Sequence, residues 1–205
     1  LNFEQQRVEA DVRHNMVRVR EYRESIALDK REPVVQGQLD LRFGIDASGC
    51  KKEAFYLSGM RVSVEVCVSS LDEALKAASY AVDSIELCAW LACGGITPSY
   101  GLVNTLTERI QVPLRVLVRP RPGGFHYSDE ERQIILRDSM LIGLSGVGVV
   151  TGALEADGGT SRSLIRAVRM AAPENEITFH RAIDHATDIL RSIDDLLGLQ
   201  VPRVL

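Results

Sequence analysis

The sequence has little of what membrane, secreted and nucleic-acid-binding proteins need. No apolar run approaches the roughly 20 residues that cross a bilayer, and no signal-peptide pattern precedes the first periodic segment. The net charge is −4, whereas nucleic-acid-binding modules usually carry a clustered basic surface. We therefore expect a cytoplasmic protein with no membrane and no nucleic-acid partner.

Cysteine is also scarce, and its spacing excludes two kinds of protein. The cysteines lack the dense, regular spacing of a small disulfide scaffold, and no CxxC pair suggests zinc or a thioredoxin-like site. We expect reduced thiols at all of them. The cysteines are Cys50, Cys67, Cys88 and Cys93.

What remains is the composition of an ordinary globular protein, with 45% hydrophobic and 25% charged residues in a chain of 205. The chain opens at Leu1 rather than Met and stops at Leu205 inside an apolar run. We therefore expect a piece of a longer protein.

From residue 62 onward, short apolar runs alternate with polar or glycine-rich loops and amphipathic helices, which is the pattern of repeated βα units. Some of the runs are almost continuously apolar, as expected of parallel strands that are buried on both faces. The Ser-x-x-Glu spacing at Ser70 and at Ser128 predicts a capping box at the start of two helices. The predicted strands cover residues 62–68, 84–88, 114–119, 147–151, 177–180 and 203–205.

A further amphipathic helix is predicted over residues 187–197, where Gly198 would end it in the left-handed conformation. A complete barrel of eight βα units needs about 250 residues. Residues 60–205 supply five units and the start of a sixth strand. We predict an α/β fold of this kind, a TIM-type (β/α) barrel truncated after about the sixth strand.

Residues 1–59 follow a different pattern. Apolar residues at helical spacing between Val8 and Ile26 predict one long helix that ends before Pro33. Alternating residues over 39–45, a turn at 46–49 and a strand near 53–57 predict a β-hairpin. This segment faintly resembles the helix and hairpin of TonB C-terminal-like domains. Because Met60 precedes the first barrel strand, we interpret 1–59 as a fused or non-native extension of the 60–205 barrel.

Two predicted strands carry a glutamate and a cysteine at the same spacing, Glu65 with Cys67 and Glu86 with Cys88. Residues two apart in a strand share a face, and neighbouring strands lie about 4.8 Å apart, so the two thiols would reach one shared ligand. Soft thiolates favour Cu(I), and two cysteines alone make a poor zinc site. Free cysteines also commonly pack as small hydrophobes, so both interpretations stay open.

Other polar residues follow later strands, at the carboxyl ends where barrel proteins build their sites. Arg119 and Arg121 can bind a carboxylate or phosphate, or they can form salt bridges to Glu65 and Glu86. His180 can act as an acid, a base or a ligand, or it can be a structural histidine.

These residues lie in segments that resemble the CutC family, in the family's order and at its spacing. The resemblance implies a TIM-type barrel, a cytoplasmic protein and a role in copper homeostasis, with Cu(I) bound at the positions of Cys67 and Cys88. One departure is Cys93, at a position that is commonly Glu in the family. The segments are 65–67, 84–88, 94–99, 119–129, 150–158 and 178–184.

Two functions, and the absence of either in an inactive fragment, therefore stay open. The first is a copper homeostasis protein that binds copper(I) through the paired cysteines. The second is a TIM-barrel enzyme that acts on a small anionic metabolite, and an inactive fragment of either is the third alternative. The partner would be a copper ion or a small anionic molecule, and a homo-oligomer is left open. In the enzyme, Arg119 and Arg121 would bind the anion, and Glu86 and His180 would transfer protons.

Overall fold

The computed structural model describes residues 40–45, 51–57, 60–61, 63–80 and 82–205, the first three ranges by their backbone only. The helix predicted before Pro33 and the turn predicted at 46–49 lie outside the described residues.

A small antiparallel sheet forms ahead of the repeated units. Its strands are β1 (Asp40–Ile45), β2 (Lys51–Leu57) and β3 (Met60–Arg61), in the order β1-β2-β3. Asp40 pairs with Tyr56 and Ile45 with Lys51. The strands of the predicted hairpin therefore form and pair.

A six-stranded parallel sheet with strands in sequence order makes up the rest of the fold. All six predicted strands form, each somewhat shorter than predicted, and the sheet curls into half of a TIM-type barrel. The strands are β4 (Glu65–Val68), β5 (Ser84–Leu87), β6 (Leu114–Leu117), β7 (Gly148–Thr151), β8 (Ile177–Phe179) and β9 (Arg203–Val204).

Helices connect successive strands of this sheet. Two 3₁₀ turns, Leu91–Cys93 and Arg181–His185, interrupt the loops after β5 and β8. The helices are α1 (Leu71–Ala78), α2 (Tyr100–Arg109), α3 (Asp129–Gly143), α4 (Arg162–Ala171) and α5 (Ile189–Gly198). In the part of the chain that the structure describes, none of the helices has the length and apolar character needed to span a bilayer.

The two predicted capping boxes differ. At Ser128 the box is complete, because the serine hydroxyl accepts from the Glu131 amide and the Glu131 carboxylate accepts from the Ser128 amide. At Ser70 only the first half forms. The Glu73 carboxylate instead accepts hydrogen bonds from the amide and the hydroxyl of Ser69.

Helix α5 ends differently from the prediction. Gly198 is its last residue, and the left-handed residue is Gln200, with φ 55°. The predicted role of Gly198 is therefore wrong. The apolar face of this amphipathic helix is only partly covered. Leu196 is buried, whereas Leu190 and Leu197 are 62% and 66% exposed.

Alternation along the strands divides the residues of the sheet between two environments. One face packs on the helices and is apolar. Its buried residues include Val68, Ile85, Leu87, Val116, Val149 and Ile177. The opposite, inner face of the curl carries the thiols and most of the strand charges. The fold therefore gathers the chemically active side chains on the concave side of the half-barrel.

Candidate functional site

The amino end of the half-barrel, where the parallel strands begin, holds a closed network of charges. Glu65 Oε2 lies 2.7 Å from Arg115 Nη1, and Glu65 Oε1 lies 2.9 Å from Arg203 Nη2. Ser84 also donates its hydroxyl to Glu65 Oε2, at 2.6 Å. Arg115 Nε in turn lies 2.9 Å from Glu176 Oε1. One carboxylate thus connects β4, β6 and β9 across the inside of the curl.

The pKa shifts follow from this pairing. Burial alone would lower the pKa of Arg115, but the hydrogen bonds and charges of Glu176 and Glu65 outweigh burial and raise it. Hydrogen bonding from Arg115 lowers the pKa of Glu176. Arg115 and Glu176 are therefore held in their charged forms by each other, as expected of a structural network.

Glu65 pairs with neither of the two arginines that were considered as its partners. It lies at the first residue of β4, away from the carboxyl end, and its ion pairs go to Arg115 and Arg203. The proposed salt bridge from Glu65 to Arg119 or Arg121 is therefore wrong, because those arginines follow β6 at the opposite end of the strands.

The two strand-end thiols lie side by side on neighbouring strands. Cys67 is level with Glu86 in the parallel register of β4 and β5. Its Sγ lies 3.9 Å from Cys88 Sγ, and its thiol donates to Glu86 Oε1 at 3.7 Å. Cys88 is completely buried and Cys67 is half-buried. The spacing that the sequence predicted for the two sulfur atoms is therefore present.

The surroundings of the thiols are apolar on the inner side. Leu117 and Val150 pack with Cys88, and Cys67 and Leu205 border the same cluster. The hydrogen bond with Cys88, then burial, then the charge of Glu86 raise the pKa of the Cys67 thiol far above its ordinary value. The thiol is therefore protonated at neutral pH, and a metal ion must displace that proton to bind.

The loop after β5 lies directly against Cys88. Gly95 has φ 83°, and a Cβ there would lie 2.7 Å from Leu117 Cδ2 and 3.3 Å from Cys88 Cβ. Only glycine fits. In the same loop, Cys93 donates its thiol to the carbonyl of Trp90 at 3.0 Å. Among the described residues, no group of three or more His, Cys, Asp or Glu side chains is arranged to hold a metal ion.

Arg119 is buried at the carboxyl end, with 6% of its surface exposed. Its Nη1 donates to the carbonyls of Gly94 and Gly95, each at 3.1 Å, and its Nη2 donates to that of Gly123 at 2.6 Å. The guanidinium carbon lies 4.8 Å from the ring centroid of Phe125. Nε has no partner. Arg119 therefore holds two loops together while one of its donors stays unused.

Arg121 is placed differently from Arg119. Its guanidinium forms an ion pair with Glu131, and it also donates to the carbonyls of Gly124 and His126. The guanidinium carbon lies 5.2 Å from the ring centroid of Tyr127. Arg121 therefore fastens the loop after β6 to the first turn of α3, and its charge is already balanced.

His180 follows β8 and is 5% exposed. Its Nδ1 accepts from the amide of Ala182 at 3.2 Å, so the neutral ring carries its proton on Nε2, which has no partner. Burial lowers the pKa of His180 to about 3, and the charge of Arg119 contributes to the lowering. The imidazole is therefore neutral at physiological pH, and its ring centroid lies 5.0 Å from that of Phe125.

The six residues singled out from the sequence thus fall into three places. Cys67, Cys88 and Glu86 form one group, Arg119 and His180 meet at Phe125, and Arg121 is bound to Glu131. The sequence reasoning missed the network at the amino end. Its signal was an arginine at an inward position of an otherwise apolar run, Leu-Arg-Val-Leu at 114–117.

The chain is similar to proteins of one family over most of its length. The family profile described as CutC family matches residues 62–205. A family protein CutC of Xylella fastidiosa strain Temecula1 is 39% identical over 158 residues, which cover 76% of this chain and 59% of that protein. The copper homeostasis protein cutC homolog of Homo sapiens is 39% identical over 143 residues, covering 69% of this chain and 52% of that protein.

A solved structure agrees with these relatives. The copper homeostasis protein CutC from Streptococcus agalactiae superposes with a TM-score of 0.64 at 29% sequence identity, covering 70% of this chain and 71% of that chain. The chain spans little more than half the length of the curated relatives it matches, at 52% to 60%.

Proposed function

The chain belongs to the CutC family, and from that premise we propose that it binds Cu(I) between the thiolates of Cys67 and Cys88 as a copper homeostasis protein. The observation that carries the proposal is the distance of 3.9 Å between the two sulfur atoms, on neighbouring strands of the inner face. Copper is here the cargo of the protein.

The donor set suits a soft monovalent ion. Two metal–sulfur bonds of about 2.3 Å span at most about 4.6 Å when they are collinear, so the observed separation of 3.9 Å needs only a small adjustment. Thiolates are the ligands that select Cu(I), whereas a structural zinc ion takes four ligands in a tetrahedron. The described residues supply no such larger group.

The surroundings of the thiols define how the ion would be held. Leu117, Val150 and Leu205 border the sulfur atoms and provide an apolar wall on the inner side. Cu(I) would displace the thiol protons of both Cys67 and Cys88 to solvent, and the two thiolates would then share the positive charge of the ion. The buried position of Cys88 fixes one sulfur, and the half-buried Cys67 is the ligand through which the ion would enter.

A competition titration tests this proposal. The reduced chain is titrated with Cu(I) in the presence of a chelator of known affinity, alongside Cys67→Ser, Cys88→Ser and the matched control Cys93→Ser. We expect one high-affinity ion per wild-type chain and about a 100-fold or larger loss in each of the first two variants. Cys93→Ser should bind as the wild type does, since its thiol is bonded to the Trp90 carbonyl. Equal affinity in all four proteins contradicts the proposal.

A second candidate function is an enzyme that acts on a small anionic metabolite. One observation favours it: the buried guanidinium of Arg119 has no ion pair with a carboxylate in the described part of the chain. Glu86 and His180 remain the proposed proton-transfer residues, but a histidine with a pKa of about 3 is a weak base near neutral pH. A substrate screen, repeated with His180→Asn, tests this candidate. Turnover that survives the substitution contradicts the assignment.

A further inference from the structure

Arg119 differs from the other arginines of the inner face in having no ion pair with a carboxylate among the described residues. At the amino end, Arg115 and Arg203 both contact the carboxylate of Glu65. At the carboxyl end, Arg119 is more deeply buried, yet among the described residues it has no carboxylate partner. It donates to three backbone carbonyls and lies beside the hydroxyl of Tyr127. A buried cation without a counter-charge is costly, so this position favours an anion.

Buried donors at the carboxyl end that are unpaired in the described structure include the Nε–H of Arg119 and the Nε2–H of His180. The hydroxyl of Tyr127, beside Arg119, is another. Leaving a buried donor without an acceptor costs the full desolvation of that group, and native proteins contain few such donors. Two of them in side chains no more than 6% exposed indicate a place where acceptor oxygens are supplied from outside the chain.

One aromatic ring lies against both side chains. The guanidinium carbon of Arg119 lies 4.8 Å from the centroid of Phe125, and the imidazole of His180 lies 5.0 Å from it. The charge of Arg119 also reaches His180 and contributes to the lowering of its pKa. Both side chains follow strands of the parallel sheet, at the end where barrel proteins bind their ligands.

Glycine keeps the histidine in this position. A Cβ at Gly152 would lie 2.6 Å from His180 Nδ1 and 2.8 Å from Cε1. The imidazole is thus packed against the backbone after β7, and its Nδ1 is fixed by the Ala182 amide. The ring has little freedom to turn Nε2 toward another acceptor.

We infer that the carboxyl end of the half-barrel holds an oxyanion site, in which Arg119 Nε–H and His180 Nε2–H donate to the carboxylate or phosphate of a small metabolite. The site deepens the second candidate function, because it names the group by which a substrate would be recognised. It requires binding and not turnover, and it does not involve the thiols. A failure to bind an anion would therefore leave the copper proposal intact. Absence of catalysis would likewise leave the anion site intact.

The test is a titration of the full chain with inorganic phosphate and, separately, with acetate. Binding is followed by the NMR signals of the His180 imidazole and by the thermal unfolding midpoint. We expect at least one anion to shift the Nε2–H signal saturably and to raise the midpoint. The anion with the higher affinity identifies the source of the oxyanion as phosphate or carboxylate.

A matched pair of variants isolates the histidine donor. Asparagine at 180 places an acceptor near the position of Nδ1 and so can keep the bond from Ala182, but it has no donor at the position of Nε2. Glutamine at 180 can place an N–H near Nε2. We expect His180→Asn to weaken anion binding about tenfold or more, and His180→Gln to retain most of it.

Arg119→Lys tests the other donor, because lysine keeps the charge and can reach the Gly94 and Gly95 carbonyls but has no Nε–H. We expect it also to weaken binding, about tenfold. Arg191→Lys, the same kind of change at an exposed position of α5, is the control and should bind the anion as the wild type does. Should a variant fail to fold, the imidazole signal of the wild type decides alone. No saturable shift with either anion, or equal binding by His180→Asn and wild type, overturns the inference.

Discussion

The two ends of the half-barrel share one inner face but differ in how their polar groups are satisfied. At the amino end, Glu65 is held by Arg115, Arg203 and Ser84, and Arg115 is held again by Glu176. At the carboxyl end, two thiols lie in contact and buried donors stay unpaired. Complete pairing indicates a structural role and incomplete pairing a functional one, since unsatisfied groups persist mainly where a ligand completes them.

The ion pairs of Glu65 also link distant strands of the curled sheet. Glu65 connects the first strand of the parallel sheet to the last one, because its two carboxylate oxygens contact Arg115 on β6 and Arg203 on β9. The carboxyl end has no such cross-connection among the described ion pairs. We infer that the amino end helps to hold the curvature of the sheet.

The largest expected effect comes from breaking the amino end. Glu65→Gln removes the charge between two guanidinium groups in a side chain that is 12% exposed. We expect a loss of about 3 kcal/mol in the free energy of unfolding, because one partner of a largely buried ion pair is left without its counter-charge. Urea denaturation measures it.

The control for Glu65→Gln is Asp184→Asn, which breaks the exposed pair between Arg181 and Asp184. We expect that change to cost less than about 1 kcal/mol. Equal losses in the two variants would remove the distinction between a structural amino end and an ordinary surface.

A smaller effect is expected from crowding the carboxyl end. Gly152→Ala places a methyl group within 2.6 Å of His180 Nδ1, so the imidazole must move. We expect destabilisation of about 2 kcal/mol, as for other overpacked sites, together with a shifted His180 signal. Gly101→Ala is the matched control, because nothing lies within 4 Å of the added atom in α2. That variant should be as stable as the wild type or more so, and a similar loss in both would contradict the packing argument.

A smaller effect still is expected from the pH dependence of stability, through His180. The pKa of His180 is lowered to about 3 in the folded chain, from about 6.5 when unfolded. Between these values the unfolded chain binds a proton that the folded chain does not, so stability falls as the pH falls below 6.5, by up to about 1.4 kcal/mol per unit. Urea denaturation at pH 7, 6 and 5 should show this slope in the wild type.

His180→Asn provides the reference for the pH series. The variant has no imidazole at this position, so the part of the slope that arises between pH 7 and 5 should disappear. If wild type and variant lost stability in parallel over this range, a neutral buried His180 would be ruled out.

Much of the fold could be predicted from the sequence, because it depends on local pattern. Alternation and turn residues located the six strands, and parallel strands that follow one another in sequence usually lie side by side. That rule was enough to place Cys67 beside Cys88. It also follows from the strand alternation that both thiols share the inner face with Glu86.

The parts that could not be predicted depend on contacts across the curl and on loop conformation. The ion pairs of Glu65 depend on the curl of the sheet, which brings β9 toward β4. A local sequence pattern does not predict that curl. The carbonyl contacts of Arg119 depend on the path of two glycine-rich loops. At the end of α5, Gln200 takes the left-handed conformation while the Val201 amide donates to the Leu196 carbonyl. Judged by local preference alone, Gly198 was the better candidate for the left-handed conformation.

We propose that the paired thiols of Cys67 and Cys88 at the carboxyl end are the copper ligands. X-ray absorption at the copper edge of the Cu(I)-loaded, reduced chain can decide this, because the method counts the sulfur atoms bound to the ion. We predict one ion with two sulfur ligands, unchanged in Cys93→Ser and lost in Cys67→Ser. A spectrum dominated by nitrogen or oxygen ligands, or one that is unchanged in Cys67→Ser, would contradict the account.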